Sequence, residues 1–411
     1  MIKMNKPKIR FNEFENIWTK SKLGKLYEVY SGNTPSRSDS RNYQSGEIPW
    51  IKTTDLNNSI ICSNEEKISV YGATKLKVLP EKSVLIAMYG GFNQIGRTGL
   101  LAYPATINQA LAALMPINEI YPNFLLNFLN FKKESWRNVA ASSRKDPNIT
   151  KNDVEKFIIS FPSLEEQSAI GSLFRTLDDL LASYKDNLAN YQSLKATMLS
   201  KMFPKAGHTV PEIRLDGFEG EWKKVKLKDV TESIEYGLNA SAKEFDGENK
   251  YIRITDIDDV SRKFKEDSLT SPNINVSECD NYLLCEKDIL FARTGASVGK
   301  TYLYDIKDGK VYFAGFLIRA RIKEKFDSKF IFQNTLTDRF TQYVKVTSQR
   351  SGQPGVNGKE YGEYELYLPK YEEQQAIGAY FSNLDSLIAS HQEKISQLET
   401  LKKKLLQDMF I

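Results

Sequence analysis

Two stretches of this chain, 207 positions apart, are written in nearly the same words. Residues 161–203 read FPSLEEQSAIGSLFRTLDDLLASYKDNLANYQSLKATMLSKMF, and residues 368–410 read LPKYEEQQAIGAYFSNLDSLIASHQEKISQLETLKKKLLQDMF. They are identical, without a gap, at 18 of 43 positions. A repeat of this length dictates architecture before any single residue is interpreted, because each copy must bury the same faces in the same way. The duplication continues upstream. PKIRFNEFENIWTKSKL at 7–23 answers PEIRLDGFEGEWKKVKL at 211–227, WIKTTDL at 50–56 answers YIRITDI at 251–257, and PNIT at 147–150 answers PGVN at 354–357. The 411 residues are therefore two copies of one unit, a mixed globular part followed by a long helix. The expected divisions are 1–160 and 207–367 for the globular parts, and 161–206 and 368–411 for the helices.

The helical segments carry apolar residues in steps of three and four. In the first, Ile170, Leu173, Leu177, Leu180, Tyr184 and Leu188 continue to Tyr191 and Leu194. In the second, Ile377, Tyr380, Leu384, Leu387, His391, Ile395 and Leu398 continue to Leu401 and Leu405. That spacing marks a coiled-coil seam. Pro162 and Pro369 stand just before the starts, where proline is tolerated. Each helix of roughly 40 residues is about 60 Å long. Two such stripes most economically bury each other, and a duplicated unit with a pseudo-two-fold axis places them antiparallel. The fold class expected is α+β: two mixed α/β domains separated by a pair of long antiparallel coiled-coil helices. His391, whose counterpart is Tyr184, is read as a packed seam residue rather than a catalytic one.

Several chemistries are poorly served by the composition. Three cysteines (Cys62, Cys279, Cys285) in no metal-ligand or redox spacing fit a reducing cytoplasm, and only two histidines leave little for a metal site or a Ser-His pair. No apolar run approaches a membrane span, and MIKMNKPKIRF reads as no signal peptide. The stretch FARTGASVGKT at 291–301 imitates a phosphate-cradling loop, but only three residues separate Gly295 from Gly299, where the pattern needs four between its first glycine and the Gly-Lys pair. In the other copy, SVLIAMYGGFNQIGRTG at 83–99, Gly91 and Gly96 are correctly spaced and Arg97 replaces the lysine. Both are read as glycine-rich turns between buried strands. Two readings stay open: the glycines merely supply positive φ, or Arg97 and Lys300 face an anion such as DNA phosphate.

These motifs, with IPWIKTTDL, KDILFARTG and NITKNDVEKF in the same order along nearly the whole chain, resemble the specificity (S) subunits of type I restriction–modification systems. The resemblance implies a non-catalytic DNA reader in which two target-recognition domains each bind one half of an asymmetric, two-part site on double-stranded DNA. It implies that the helices fix the gap and dock two methyltransferase (M) subunits, with restriction (R) subunits completing the enzyme. S-adenosylmethionine, ATP and magnesium would belong to those partners, with no cofactor and no metal in this chain. It further implies a cytoplasmic host-defence role and no membrane partner. The rival readings are a P-loop enzyme and a coiled-coil protein scaffold without DNA specificity.

Phosphate and base contacts draw on Lys, Arg, Ser, Thr, Asn and Gln. Four places combine such residues with turn chemistry. They supply Arg37 and Arg41; Tyr89, Asn93, Gln94 and Arg97, with Arg293, Thr294, Ser297 and Lys300 in the second copy; and Ser143, Arg144 and Lys145, answered by Gln349, Arg350 and Gln353. Arg253, on the YIRITDI strand, is a further candidate. The loops just before the helices are favoured. Replacing Arg144 or Arg350 by alanine is expected to weaken binding at its own half-site by about 1–3 kcal/mol if it reads a base, measured by gel shift.

Overall fold

The long helices form at Leu164–Lys201 and Tyr371–Met409, in a computed structural model that describes residues 6–140, 147–349 and 353–411. The repeated Glu-Glu-Gln explains how each one starts. Glu166 and Glu373, each 1 % exposed, sit in the first turn and are gripped through both oxygens by an arginine from the repeated upstream segment. Arg10 donates to Glu166 at 2.7 and 2.7 Å, and Arg214 donates to Glu373 at 2.8 and 2.7 Å. A buried carboxylate is tolerable only with such a partner. The next residue ties the helix to its globular part. The Gln167 and Gln374 amides each donate to the carbonyl of the preceding proline, Pro162 or Pro369, at 3.0 Å. Their oxygens accept from the backbone N–H of Tyr121 and of Asp327.

The repeated Met-Phe explains how each helix ends. The chain divides into two compact units, Met1–Tyr184 with Lys394–Ile411, and Lys185–Glu393. Each unit therefore holds the start of one long helix and the end of the other. In the first, Phe410 enters an aromatic cluster with Trp18, Phe124, Phe128, Phe131 and Phe174 at ring separations of 5.5–6.3 Å. In the second, Phe203 packs on Trp222, Phe330 and Phe381.

The helices pair antiparallel inside each unit. In the first, Phe174 meets Phe410 and Asp178 pairs with Lys402. In the second, Phe203 meets Phe381, Lys195 pairs with Asp385 at 2.6 Å, and Tyr191 meets the His391 ring edge-on at 5.1 Å. Ile170, Leu177, Ile377 and Leu384 are buried as expected; Leu173, Tyr184, Leu188, His391, Ile395 and Leu398 are half-buried. Leu180 and Leu387 are not in the seam: they are 41 % and 44 % exposed. The inward residues are Phe174 and Leu181, and at the equivalent positions Phe381 and Ile388. Each lies beside an apolar neighbour, so the stripe fits two phases. Against a globular core the helix keeps its 3.6-residue repeat instead of the 3.5 of a supercoiled seam.

Each globular part is built around a sheet. In the first the strand order is Tyr30–Ser31, Leu111–Leu114, Val84–Ala87, Thr98–Leu101, Ser59–Ile61, antiparallel except for the last pair. In the second it is Thr231–Tyr236, Leu317–Ile322, Asp288–Ala292, Thr301–Leu303, antiparallel throughout. The WIKTTDL and YIRITDI strands lie outside these sheets, in parallel pairs Ile48–Ile51 with Thr106–Ile107 and Lys250–Ile252 with Val311–Phe313. A second small ladder in each unit seals the helix base: Thr19–Lys22 with Ile158–Phe161, and Lys223–Lys226 with Glu365–Leu368. The last strand of each ladder runs straight toward a long helix, so the sheet fold fixes where that helix departs.

Candidate nucleic-acid interface

The glycine-rich stretches are hairpin turns between the buried strands, as SVLIAM and DILFA predict. Gly90, Gly91 and Gly96 in one copy, and Gly295 and Gly299 in the other, all have positive φ. Gly96 (φ +72) and Gly299 (φ +84) are also pressed against a helix: an added Cβ would lie 2.5 Å from Trp136 Cδ1 or 2.7 Å from Val344 Cγ1. Left-handed backbone and a missing side chain are both required there. Gly96→Ala is expected to cost about 2 kcal/mol, read as a lower midpoint in urea denaturation.

Each turn is joined to the segment that precedes the long helix. In the second unit Thr294 bridges Gly355, Gly295 N–H donates to Pro354 O at 3.0 Å, and Val356 N–H donates to Arg293 O at 2.9 Å. In the first, Ile149 N–H donates to Met88 O at 2.9 Å, the equivalent bond. Thr150 and Asn357 then cap the short helices Lys151–Lys156 and Gly358–Gly362, each reciprocated by the acidic residue three positions on. Two of the sequence-predicted places, the turn and the pre-helix loop, are thus one locus in each unit. Sequence reasoning missed Tyr361, whose buried hydroxyl donates to Ala292 O at 2.6 Å and accepts from Gly299 N–H at 3.1 Å. Burial pushes its phenol above the ordinary range, keeping the proton needed for this clamp.

The basic candidates divide sharply by what they already hold. Lys300 is buried and already engaged: it is 7 % exposed, donates to Ile257 O at 3.2 Å and pairs with the Asp259 carboxylate. Arg253 is folded back on Asp256 through two bonds of 2.8 and 2.9 Å, capping its own turn. Arg97 is half-buried with its Nε on Asn93 O at 3.1 Å. Arg41 chelates Asp39 and covers the Tyr71 ring; Arg37 pairs with Glu66 and lies 4.2 Å from the centre of the Tyr43 ring. Arg37 and Arg41 remain exposed, and exposed ion pairs are weak enough to exchange for phosphate. Tyr89 and Asn93 are exposed at the first turn, Gln94 is half-buried and Phe92 is 46 % exposed.

In the second unit Thr294 and Ser297 are half-buried, and Gln349 and Gln353 exposed. Ser297 lines a cleft of about 1180 Å³ shared with Lys195, Arg262 and Lys345. Ser143, Arg144, Lys145 and Arg350 lie outside the described residues. Among the described residues no His, Cys, Asp and Glu group is arranged for a metal, and no helix is long and apolar enough to cross a membrane.

A mixed domain built twice, each copy carrying a polar turn beside the start of a long helix, is the architecture to be set against known proteins. The chain belongs to the type I restriction modification DNA specificity domain family, whose profile matches residues 15–190 and again 219–400. It is 22 % identical over 405 residues, 95 % of this chain and 91 % of the relative, to the type I restriction enzyme MjaVIII specificity subunit of Methanocaldococcus jannaschii. Its fold matches the S subunit of a type I restriction–modification system from M. genitalium with a TM-score of 0.66 at 16 % identity, covering 99 % of both chains. A second solved structure, described as bearing on complex assembly and conformational transition of the type I system, matches at 0.53 and 16 %, covering 96 % and 97 %. The chain is a specificity subunit, the non-catalytic component of such a system.

Proposed function

We propose that each globular part, residues 1–160 and 207–367, reads one half of a two-part, asymmetric site on duplex DNA, and that the chain brings methyltransferase and restriction subunits to it. The observation that carries this reading is a shared scaffold with unlike contents. One equivalent bond joins turn and pre-helix segment in both units, Ile149 N–H to Met88 O and Val356 N–H to Arg293 O, yet the turns differ: buried Met88 and exposed Tyr89 in one, half-buried Arg293 and Thr294 in the other. Identical readers would select a symmetric site, whereas divergent readers on one scaffold select two different sets of bases. In this reading the long helices, held at their ends by Glu166 with Phe203 and by Glu373 with Phe410, serve as the spacer between the two readers. Half-sites on one face of DNA are separated by about 34–36 Å or a multiple, within reach of helices of 38 and 39 residues. Adenine methylation, ATP hydrolysis and cleavage fall to the partners, which carry S-adenosylmethionine, ATP and magnesium, and the assembly works in the cytoplasm.

The test is selection from a pool of randomised duplexes by the full chain with its methyltransferase subunit. Enriched sequences are expected to contain two specified blocks; a pool enriched for no sequence would favour the scaffold reading.

A further inference from the structure

Arg293 stands apart from every other basic residue of the two turns. Its guanidinium carbon lies 5.2 Å from the centre of the Tyr236 ring and 5.9 Å from that of Phe316. These aromatics are 45 % and 61 % exposed, so they flank the guanidinium at the surface rather than in the core. The clamp is itself fixed, because the Tyr236 hydroxyl accepts from Gly358 N–H at 3.0 Å and Arg293's own backbone is bonded to both Phe316 and Val356. The Arg293 Nε is shut off from solvent without a hydrogen-bond partner. Among the described residues nothing accepts from its terminal nitrogens either, although the residue as a whole is only half-buried. An arginine whose plane is held by aromatic rings and whose paired terminal N–H groups are left over is preorganised for a planar, bidentate acceptor.

We propose that Arg293 reads a guanine in the half-site of the second unit, its two terminal nitrogens donating to O6 and N7 in the major groove. This rests on the DNA-reading function above and names one base of it. A bidentate arginine is the commonest specific contact to guanine, and aromatic clamping limits the freedom that a surface side chain would otherwise lose on binding. The equivalent residue in the first unit is Met88, 3 % exposed, which has no donor to offer. The two readers therefore differ in kind at this position, and the guanine is specified in one half of the site only.

The randomised-duplex selection, repeated with the full chain carrying Arg293→Met or Arg293→Lys beside its methyltransferase subunit, tests this. The wild type is expected to demand guanine at one position of one block. Arg293→Met, which installs the residue of the other copy, loses that preference by roughly 10-fold or more, while every other position, including the whole second block, is unchanged. Arg293→Lys, which keeps charge and stem but not the fork, weakens the same position alone. The unchanged remaining positions of the same block certify that the second unit is folded in each variant. An unchanged motif in Arg293→Met overturns the assignment. So does a uniform loss of affinity with no change of sequence preference, which would mark a phosphate contact. A wild-type chain that selects no sequence would instead remove the DNA-reading function on which the assignment rests.

Discussion

Glu373→Ala is expected to destabilise the second unit by about 3–5 kcal/mol, because it removes the carboxylate from a largely buried ion pair and leaves the Arg214 guanidinium without its counter-charge. The carboxylate is 1 % exposed and its arginine side chain 16 % exposed, so solvent replaces little of the lost pairing. Arg214 also donates to the Gly220 and Glu219 carbonyls, so one substitution loosens the helix start and the upstream segment together. The chain offers a clean reporter. Of its four tryptophans, Trp18, Trp50 and Trp136 belong to the first unit and Trp222 alone to the second. With the other three replaced by phenylalanine, urea unfolding followed by Trp222 fluorescence should shift to markedly lower denaturant in Glu373→Ala. Glu166→Ala, which breaks the equivalent Arg10 pair in the first unit, should leave the Trp222 transition in place. Equal midpoints with and without Glu373 would show that the repeated Glu-Glu-Gln does not anchor the helix.

Phe410→Ala should cost a similar amount, about 3–5 kcal/mol for removing a fully enclosed phenyl group. Phe410 is 3 % exposed and touches five other aromatic rings of the first unit, so little can collapse into the space it leaves. It is also the residue that fastens the end of Tyr371–Met409 to that unit. Amide hydrogen exchange across Leu398–Met409 should accelerate strongly in the variant, since local opening is set by the contacts that hold an end down. Exchange at wild-type rates there would mean that Leu398, Leu405 and the Lys402–Asp178 pair suffice without it.

The long-range order of the fold was legible because it is written twice. Helix positions, the buried strands and the glycine turns all followed from aligning the chain with itself, where a feature in one copy supports its twin. The phase of the seam was less so. Leu180 beside Leu181, and Leu387 beside Ile388, give a stripe that reads equally well one residue over, and packing against a globular core decides it. The candidate interface was legible as a place and not as a set of residues. The turns and pre-helix segments were found, but sequence cannot say that Lys300 bends inward to Ile257 and Asp259, or that Arg253 caps its own turn. Those outcomes depend on residues brought close by tertiary structure. Tyr236 and Phe316, which hold Arg293, carry no local signal, because the clamp assembles from three separate strand ends.

The most direct test is to map methylated adenines in DNA from cells expressing the chain with its methyltransferase subunit. The account predicts that every modified site carries two short specified blocks of different sequence, separated by unspecified bases whose number never varies. A single continuous block, or two blocks at variable separation, would contradict the idea that anchored helices hold two unlike readers in register.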